Sequence, residues 1–252
     1  MEHKEYIRVS PRKDTAVLMI HGILGTPRHF DVLLDTVRED WSIYNILLDG
    51  HGKNVSAFSN TSMERWQGQV DAMLYKLSRE YNRIFIIAHS MGTLLAIESA
   101  LKGIDHGKVR AMVLLNVPLK VALSRKLIVN ALKLLFGKVR DDDTDAAITR
   151  RACSIKTEKN LFTYIGWIPR FLELLSLIKR VRRDIKRVGN PIYAFQSRHD
   201  ELVSGKAVKY LARNPKIEIT ILEDSGHFCY DERDLKILKP RIVEIFLKHL
   251  LE

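Results

Sequence analysis

The sequence predicts an α/β fold in which helices flank a mostly parallel central sheet, and three observations support this prediction. The chain has 252 residues, 46% of them hydrophobic, which is enough to bury a substantial core in one domain. Short apolar runs alternate with stretches of helical periodicity, as in parallel sheets whose strands are connected by helices. Residues 121–189 contain only helical patterns, so we expect a helical cap inserted between two strands.

The predicted elements follow one another regularly outside this cap. Residues 61–64, Thr-Ser-Met-Glu, form a capping box at the start of a helix that continues to about Tyr81. Further helices are expected at 91–102, 206–213 and 235–251. The apolar runs predict six strands, at residues 16–20, 43–48, 83–88, 109–115, 191–196 and 216–222. We therefore expect a core made of residues 1–120 and 190–252, with residues 121–189 as the cap.

Within the cap, the sequence predicts two amphipathic helices. One lies at 126–140. The other has a basic and polar face opposite an apolar face formed by Phe171, Leu174, Leu175, Ile178, Val181, Ile185 and Val188. The acidic run at 141–145 lacks the spacing of a metal-binding loop and is expected to be solvated or to cap a helix.

The positive charge of the chain is concentrated in the cap. The whole sequence carries a formal charge of +11, and residues 121–189, with 16 basic and 7 acidic side chains, account for +9 of it. Two interpretations stay open. The charges form the solvated outer faces of cap helices, or they contact an anionic lipid surface or an anionic substrate.

Composition excludes several classes of protein. The longest purely apolar run has five residues, whereas a membrane-spanning helix needs about 20. The first residues lack the apolar segment of a secretory signal. Two cysteines make neither a disulfide framework nor a metal site, so we expect a cytoplasmic protein. Since no nucleic-acid-binding motif accompanies the basic residues, no nucleic-acid partner is expected.

The strongest functional pattern surrounds Ser90. An apolar strand runs into Ala-His-Ser-Met-Gly at residues 88–92, and a helix begins at once. A sharp turn between strand and helix lifts a serine hydroxyl clear of the sheet, and it needs small residues two positions before and after the serine. Ala88 and Gly92 meet that need, so Ser90 is the candidate nucleophile. The alternative is a serine that only caps the helix.

A serine nucleophile needs a base, and the base needs an orienting carboxylate. Asp200 and His227 follow the last two predicted strands, and the carboxyl ends of parallel strands meet at one edge of the sheet. These two residues are therefore the expected acid and base, with Glu201 as the next candidate acid. The expected oxyanion donors are the backbone N–H groups of Met91, directly after the nucleophile, and of Ile23, in the loop after the first predicted strand.

Taken together, these motifs resemble those of α/β-hydrolase-fold serine esterases, most closely the bacterial carboxylesterases and monoacylglycerol lipases. The resemblance rests on His-Gly-Ile-Leu-Gly at 21–25, Leu-Asp-Gly-His-Gly at 48–52, Ala-His-Ser-Met-Gly at 88–92, Ser-Arg-His-Asp at 197–200 and Ser-Gly-His at 225–227. It implies that Ser90 attacks an ester carbonyl, His227 takes its proton, Asp200 orients His227, and Ile23 and Met91 hold the oxyanion. Neither a metal nor an organic cofactor is implied.

The expected activity is the hydrolysis of carboxylic esters, such as monoacylglycerols or short- to medium-chain acyl esters. The same three residues also serve thioesterases and acyltransferases, and basic cap residues suit a phosphate-bearing thioester. A third alternative is a non-catalytic ligand-binding protein of the same fold, which the presence of Ser90, Asp200 and His227 argues against. The sequence leaves the oligomeric state open.

Overall fold

The computed structural model describes residues 3–122, 153–156, 158 and 160–250. Within these residues, seven strands form one sheet in the order β1-β3-β2-β4-β5-β6-β7. Only β1 is antiparallel to its neighbour, β3. The strands are β1 Tyr6–Arg8, β2 Thr15–Ile20, β3 Ser42–Ile46, β4 Arg83–His89, β5 Val109–Leu115, β6 Ile192–Ser197 and β7 Ile217–Leu222. The predicted parallel sheet is confirmed, and the short edge strand β1 is an addition to it.

Helices cover both faces of the sheet. They are α1 Val55–Ser59, α2 Met63–Glu80, α3 Met91–Lys102, α4 Trp167–Asp184, α5 Val208–Leu211 and α6 Glu232–Lys248. The side chain of Ser62 caps α2, as the capping box predicts, by accepting a hydrogen bond from Arg65. Helix α6 begins three residues before its predicted start because Asp231 caps it there. Sequence reasoning missed α1 and a 3-10 segment at Pro27–Thr36.

Strand β4 shows how the sheet separates two layers of the core. Ile84, Ile86 and Ala88 belong to the cluster that contains the buried side chains of α2 and α3. Phe85 and Ile87 belong to the cluster that contains the 3-10 segment at Pro27–Thr36 and α6. The alternation follows from the two-residue period of a strand. Burial on both faces explains why the strand reads as one continuous apolar run.

Helix α4 lies between β5 and β6 in the chain and packs against α3. It buries Leu177, Ile178 and Val181. Phe171 and Leu175 of the predicted apolar face are exposed, and Leu177, which lies outside that predicted face, is buried instead. The predicted helix at 126–140 and the acidic run at 141–145 lie outside the described residues, so the division into core and cap stays a prediction.

Candidate active site

The chain turns sharply at Ser90, between β4 and α3. Ser90 has φ 51° and ψ −123°, a backbone conformation that costs a non-glycine residue roughly 1–3 kcal/mol. Its side chain makes no capping hydrogen bond to the helix, which argues against a capping role. Gly22 adjoins it so closely that a Cβ at position 22 would lie 2.9 Å from the Cβ of Ser90. The loop after β2 therefore lies against the nucleophile turn.

Three side chains from three separate loops meet at this turn in a hydrogen-bonded series. The Oγ of Ser90 lies 3.1 Å from Nε2 of His227. On the other side of the ring, Nδ1 of His227 lies 2.8 Å from Oδ2 of Asp200. The side chains of His227 and Asp200 are each only 2% exposed. The structure thus brings together the three residues that the sequence indicates as nucleophile, base and acid.

The backbone after β6 holds Asp200 in place. Its second carboxylate oxygen, Oδ1, accepts hydrogen bonds from the N–H groups of Leu202 at 2.8 Å and Val203 at 2.6 Å. These two bonds fix the rotamer of the carboxylate. Glu201 has a different place, because its Oε2 accepts the backbone N–H of His227 at 2.8 Å. Asp200, and not Glu201, therefore contacts the imidazole ring.

The two backbone groups expected to hold an oxyanion lie in segments that adjoin Ser90. Met91 is the first residue of α3, so its N–H has no carbonyl one turn earlier in the helix to bind. Ile23 directly follows Gly22, the glycine packed against Ser90. A hydrogen bond from Gly25 N–H to the carbonyl oxygen of Gly22, 3.0 Å long, closes the turn around Ile23.

Residues 17–238 match the model of the alpha/beta hydrolase family. The chain belongs to the α/β hydrolase family. No curated protein matches it.

Several solved structures share the fold of this α/β hydrolase at low sequence identity. A structure reported for the metagenome-derived lipolytic enzymes LipS and LipT has a TM-score of 0.73 at 18% identity, covering 98% of each chain. A soluble variant of the monoglyceride lipase from Saccharomyces cerevisiae has a TM-score of 0.69 at 13% identity, covering 97% of this chain and 91% of its own. Est1E from Butyrivibrio proteoclasticus, with ferulic acid bound, has a TM-score of 0.68 at 17% identity, covering 99% and 96%.

Four further histidines surround the site of this hydrolase, and sequence reasoning assigned none of them a place there: His21, His29, His51 and His89. Burial lowers the pKa of His21 to about 4 and that of His29 to about 3. Burial also holds the pKa values of His51 and His89 well below the ordinary 6.5. All four rings are therefore neutral at pH 7. The available signal was that His21, His51 and His89 are themselves part of the motifs at 21–25, 48–52 and 88–92.

Neither a metal cluster nor a membrane-spanning helix occurs in the part of the chain that the structure describes. These residues contain no group of three or more His, Cys, Asp or Glu side chains arranged to hold a metal ion. Their helices include none that is both long and apolar enough to cross a bilayer. The cytoplasmic location stays a prediction.

Proposed function

We propose that this α/β hydrolase is a serine esterase that cleaves carboxylic esters through an acyl-enzyme on Ser90, in the EC 3.1.1 class. The observation that carries the proposal is the buried series of hydrogen bonds from Ser90 through His227 to Asp200. Because the Asp200 carboxylate accepts a hydrogen bond from the Nδ1–H of His227, Nε2 of the ring stays unprotonated and can take the hydroxyl proton.

Each residue then has one role in the proposed reaction. Ser90 Oγ attacks the ester carbonyl carbon while its proton moves to Nε2 of His227. The N–H groups of Ile23 and Met91 bind the oxyanion that forms, and each such donor is worth about 3 kcal/mol in other acyl-transfer enzymes. His227 returns the proton to the departing alcohol, leaving an acyl-Ser90 ester. Water, deprotonated by His227, attacks the acyl carbon. The bond from that carbon to Ser90 Oγ then breaks, His227 returns the proton to Oγ, and the carboxylic acid departs.

The proposed substrates are uncharged acyl esters, such as monoacylglycerols or short- to medium-chain esters. Three structures that share the fold are a monoglyceride lipase, lipolytic enzymes and a protein with ferulic acid bound, which supports this class of substrate. The catalytic side chains themselves do not distinguish an oxygen ester from a thioester. The alternative function is hydrolysis of a thioester by the same three residues. The experiment below distinguishes the two functions.

The experiment combines labelling with turnover. We expect a fluorophosphonate probe to label the protein at Ser90, and p-nitrophenyl esters of graded chain length to be hydrolysed. Ser90→Ala should abolish labelling and lower kcat by several orders of magnitude, while Ser56→Ala, at an exposed serine of α1, should change neither. An unlabelled wild-type protein without turnover would refute the proposal. Faster hydrolysis of acyl-CoA than of esters would favour the thioesterase.

We also propose that the cap contacts an anionic lipid surface. This proposal builds on the concentration of positive charge in residues 121–189. Ile168, Leu172 and Leu175 are 56%, 60% and 47% exposed, and their spacing places them on one face of α4. Lys179 and Arg183 continue that face at four-residue intervals and are exposed as well. One exposed face therefore begins apolar and ends basic, which matches the acyl and headgroup regions of an anionic leaflet.

Vesicle co-sedimentation tests this contact. We expect the protein to sediment with vesicles that contain phosphatidylglycerol and to remain in solution with pure phosphatidylcholine vesicles. Binding should weaken as salt increases, because salt screens the attraction between the basic side chains and the headgroups. Equal sedimentation with both kinds of vesicle, or with neither, would contradict the proposal.

A further inference from the structure

His89, the residue before the nucleophile, reaches across to the loop that carries the base. It is the last residue of β4, and its Nε2 lies 2.9 Å from the backbone carbonyl oxygen of His227. A carbonyl oxygen only accepts, so Nε2 of His89 carries the proton and donates it. The side chain is 4% exposed, and water does not compete freely for the bond. The strand that presents Ser90 is thereby connected directly to the backbone of His227.

The other polar groups of this backbone are held by side chains as well. The N–H of His227 donates to Oε2 of Glu201 at 2.8 Å. The preceding carbonyl, that of Gly226, accepts from Nδ2 of Asn116 at 3.3 Å. Three side chains, one at the end of β4 and two in separate loops, thus fix the backbone at the catalytic imidazole. The bond from His89 is the one that starts beside the nucleophile.

Two further side chains, those of His29 and Tyr230, support the His89 ring. The ring of His29 stacks on it, with centroids 3.8 Å apart and an angle of 28° between the planes. Nε2 of His29 lies 3.0 Å from the hydroxyl of Tyr230. Tyr230 is three residues after His227, so the contacts form a closed circuit through His89, His29 and Tyr230 back to the same loop. A circuit closed in this way limits movement of the His227 backbone relative to Ser90.

Charge explains why a neutral pair of rings suits this place. His227 gains a proton in each half of the proposed reaction, and the centroid of the His89 ring lies 4.8 Å from that of His227. A second positive ring at that distance would oppose the protonation. Burial lowers the pKa of His89 well below 6.5, and the neighbouring titratable groups His29, His227 and His21 add to this effect. His89 therefore positions the base without adding a charge beside it.

From this geometry we infer that His89 is a positioning residue for the proposed ester hydrolysis: its Nε2–H bond to the His227 carbonyl, supported by His29 and Tyr230, sets the distance between Ser90 Oγ and His227 Nε2. The inference rests on the proposed function, because it concerns the same base. It predicts that loss of the bond impairs proton transfer and leaves substrate binding largely unchanged.

The test compares two substitutions at one position. His89→Phe keeps a ring for stacking and removes the donor, whereas His89→Gln keeps an N–H donor at the same distance along the side chain. We expect His89→Phe to lower kcat for a p-nitrophenyl ester about 10²-fold, the cost of a small misplacement of a catalytic group, with little change in KM. His89→Gln should recover most of that loss. His106→Gln, at an exposed histidine after α3, is the control and should behave as wild type.

Two readouts separate positioning from a general loss of structure. Fluorophosphonate labelling of His89→Phe should go to completion more slowly, which shows that the molecules are folded and that Ser90 is less activated. The downfield NMR signal of the His227 Nδ1 proton should shift or broaden in His89→Phe and return in His89→Gln. Wild-type kcat in His89→Phe, or a loss in His89→Gln as large as in His89→Phe, would overturn the inference.

A second pair of variants applies if His89→Phe does not fold. Tyr230→Phe and His29→Phe each remove the hydrogen bond between these two residues and keep both rings. We expect smaller losses in kcat from each, and no further loss in the double variant, because both remove one interaction. Fully additive losses, or none, would overturn the supporting role of this pair. Failure of the wild-type protein to label at Ser90 would instead refute the proposed function.

Discussion

Gly92 packs against the carbonyl oxygen of Ile20 so closely that a Cβ at position 92 would lie 2.2 Å from it. Ile20 ends β2, and Gly92 is the second residue of α3. The first turn of the helix therefore rests on the backbone that leads into the loop of Ile23. This contact explains why the motif around Ser90 requires glycine at its last position.

We expect Gly92→Ala to destabilise the fold, because the methyl group would push the first turn of α3 away from β2. Overpacking of this kind costs about 1–3 kcal/mol or more, measurable as a lower free energy of unfolding in urea. Gly68→Ala is the matched control, since Gly68 lies inside α2 and a methyl group added there would meet nothing within 4 Å. Gly68→Ala should raise the free energy of unfolding by up to about 1 kcal/mol. Equal effects at both positions would contradict this account.

The candidate triad could be predicted because its signals are local. A strand, a small residue, Ser90 and an immediate helix occur within a few residues of one another. Asp200 and His227 lie three and five residues after the ends of β6 and β7, so parallel pairing brings them to the same edge of the sheet. The resulting distances are those of hydrogen bonds. The order of the motifs along the chain and their positions after strands are therefore enough to predict these three residues.

The supporting contacts could not be predicted in the same way, because they join distant parts of the chain. His29 lies in a 3-10 segment whose buried residues recur every three positions and not at the α-helical spacing, and its partner Tyr230 is 201 residues away. The edge strand Tyr6–Arg8 is too short to give a pattern. On α4, Leu175 and Leu177 both fit an apolar face, and only packing against α3 decides which of them is buried.

Asp200→Asn should lower kcat by about 10⁴, the loss seen when an amide replaces the carboxylate of a serine–histidine–aspartate triad. Asparagine still accepts the N–H groups of Leu202 and Val203 through its carbonyl oxygen, so the loop should keep its shape. Its amide group, however, faces Nδ1 of His227 and favours the wrong tautomer. Steady-state kinetics with a p-nitrophenyl ester measures the loss.

Two further variants show whether the loss of kcat in Asp200→Asn is specific to the carboxylate that contacts His227. Asp31→Asn, at an exposed ion pair with Arg28, is the control and should keep the wild-type kcat. Glu201→Gln keeps an oxygen that accepts the His227 N–H, so its loss should be far smaller than that of Asp200→Asn. If Glu201→Gln were the more damaging substitution, Glu201 would be the acid of the triad and the assignment of Asp200 would be wrong.

The buried histidines predict that acid destabilises the protein. Burial lowers the pKa of His21 to about 4 in the folded state, against about 6.5 in the unfolded chain. Between these values the unfolded chain binds a proton that the folded protein does not, so stability falls as pH decreases from about 6.5 to 4. Above pH 6.5 His21 is unprotonated in both states, so this loss of stability does not occur. One such group changes stability by about 1.4 kcal/mol per pH unit.

Urea unfolding at pH 7.5, 6.5, 5.5 and 4.5 measures this dependence. We expect His21→Gln to be less stable at pH 7.5, because Nδ1 of His21 donates to the carbonyl oxygen of Gly22 and Nε2 accepts the N–H of Leu48. Below pH 6.5 its stability should decrease less steeply with acid than that of the wild type. Parallel curves for the two proteins would show that His21 titrates normally in the folded state.

The exposed face of α4 gives a prediction that separates contact with lipid from catalysis. Replacing Leu172 and Leu175 together with serine should weaken sedimentation with vesicles containing phosphatidylglycerol, because this end of the face loses its apolar area. Both side chains are about half exposed or more, at 60% and 47%, so the free energy of unfolding should change little. Activity on an emulsified long-chain ester should fall with the binding.

Activity on a short, water-soluble ester should stay at the wild-type level in the same variant, since neither leucine contacts Ser90 or His227 among the described interactions. Replacing Lys179 and Arg183 with glutamine should weaken the same sedimentation from the basic end and make it less dependent on salt. Equal losses on both esters in the serine variant would place the leucines in the substrate pocket instead of at the lipid surface. Unchanged sedimentation in both variants would mean that the basic residues of α4 form only a solvated face.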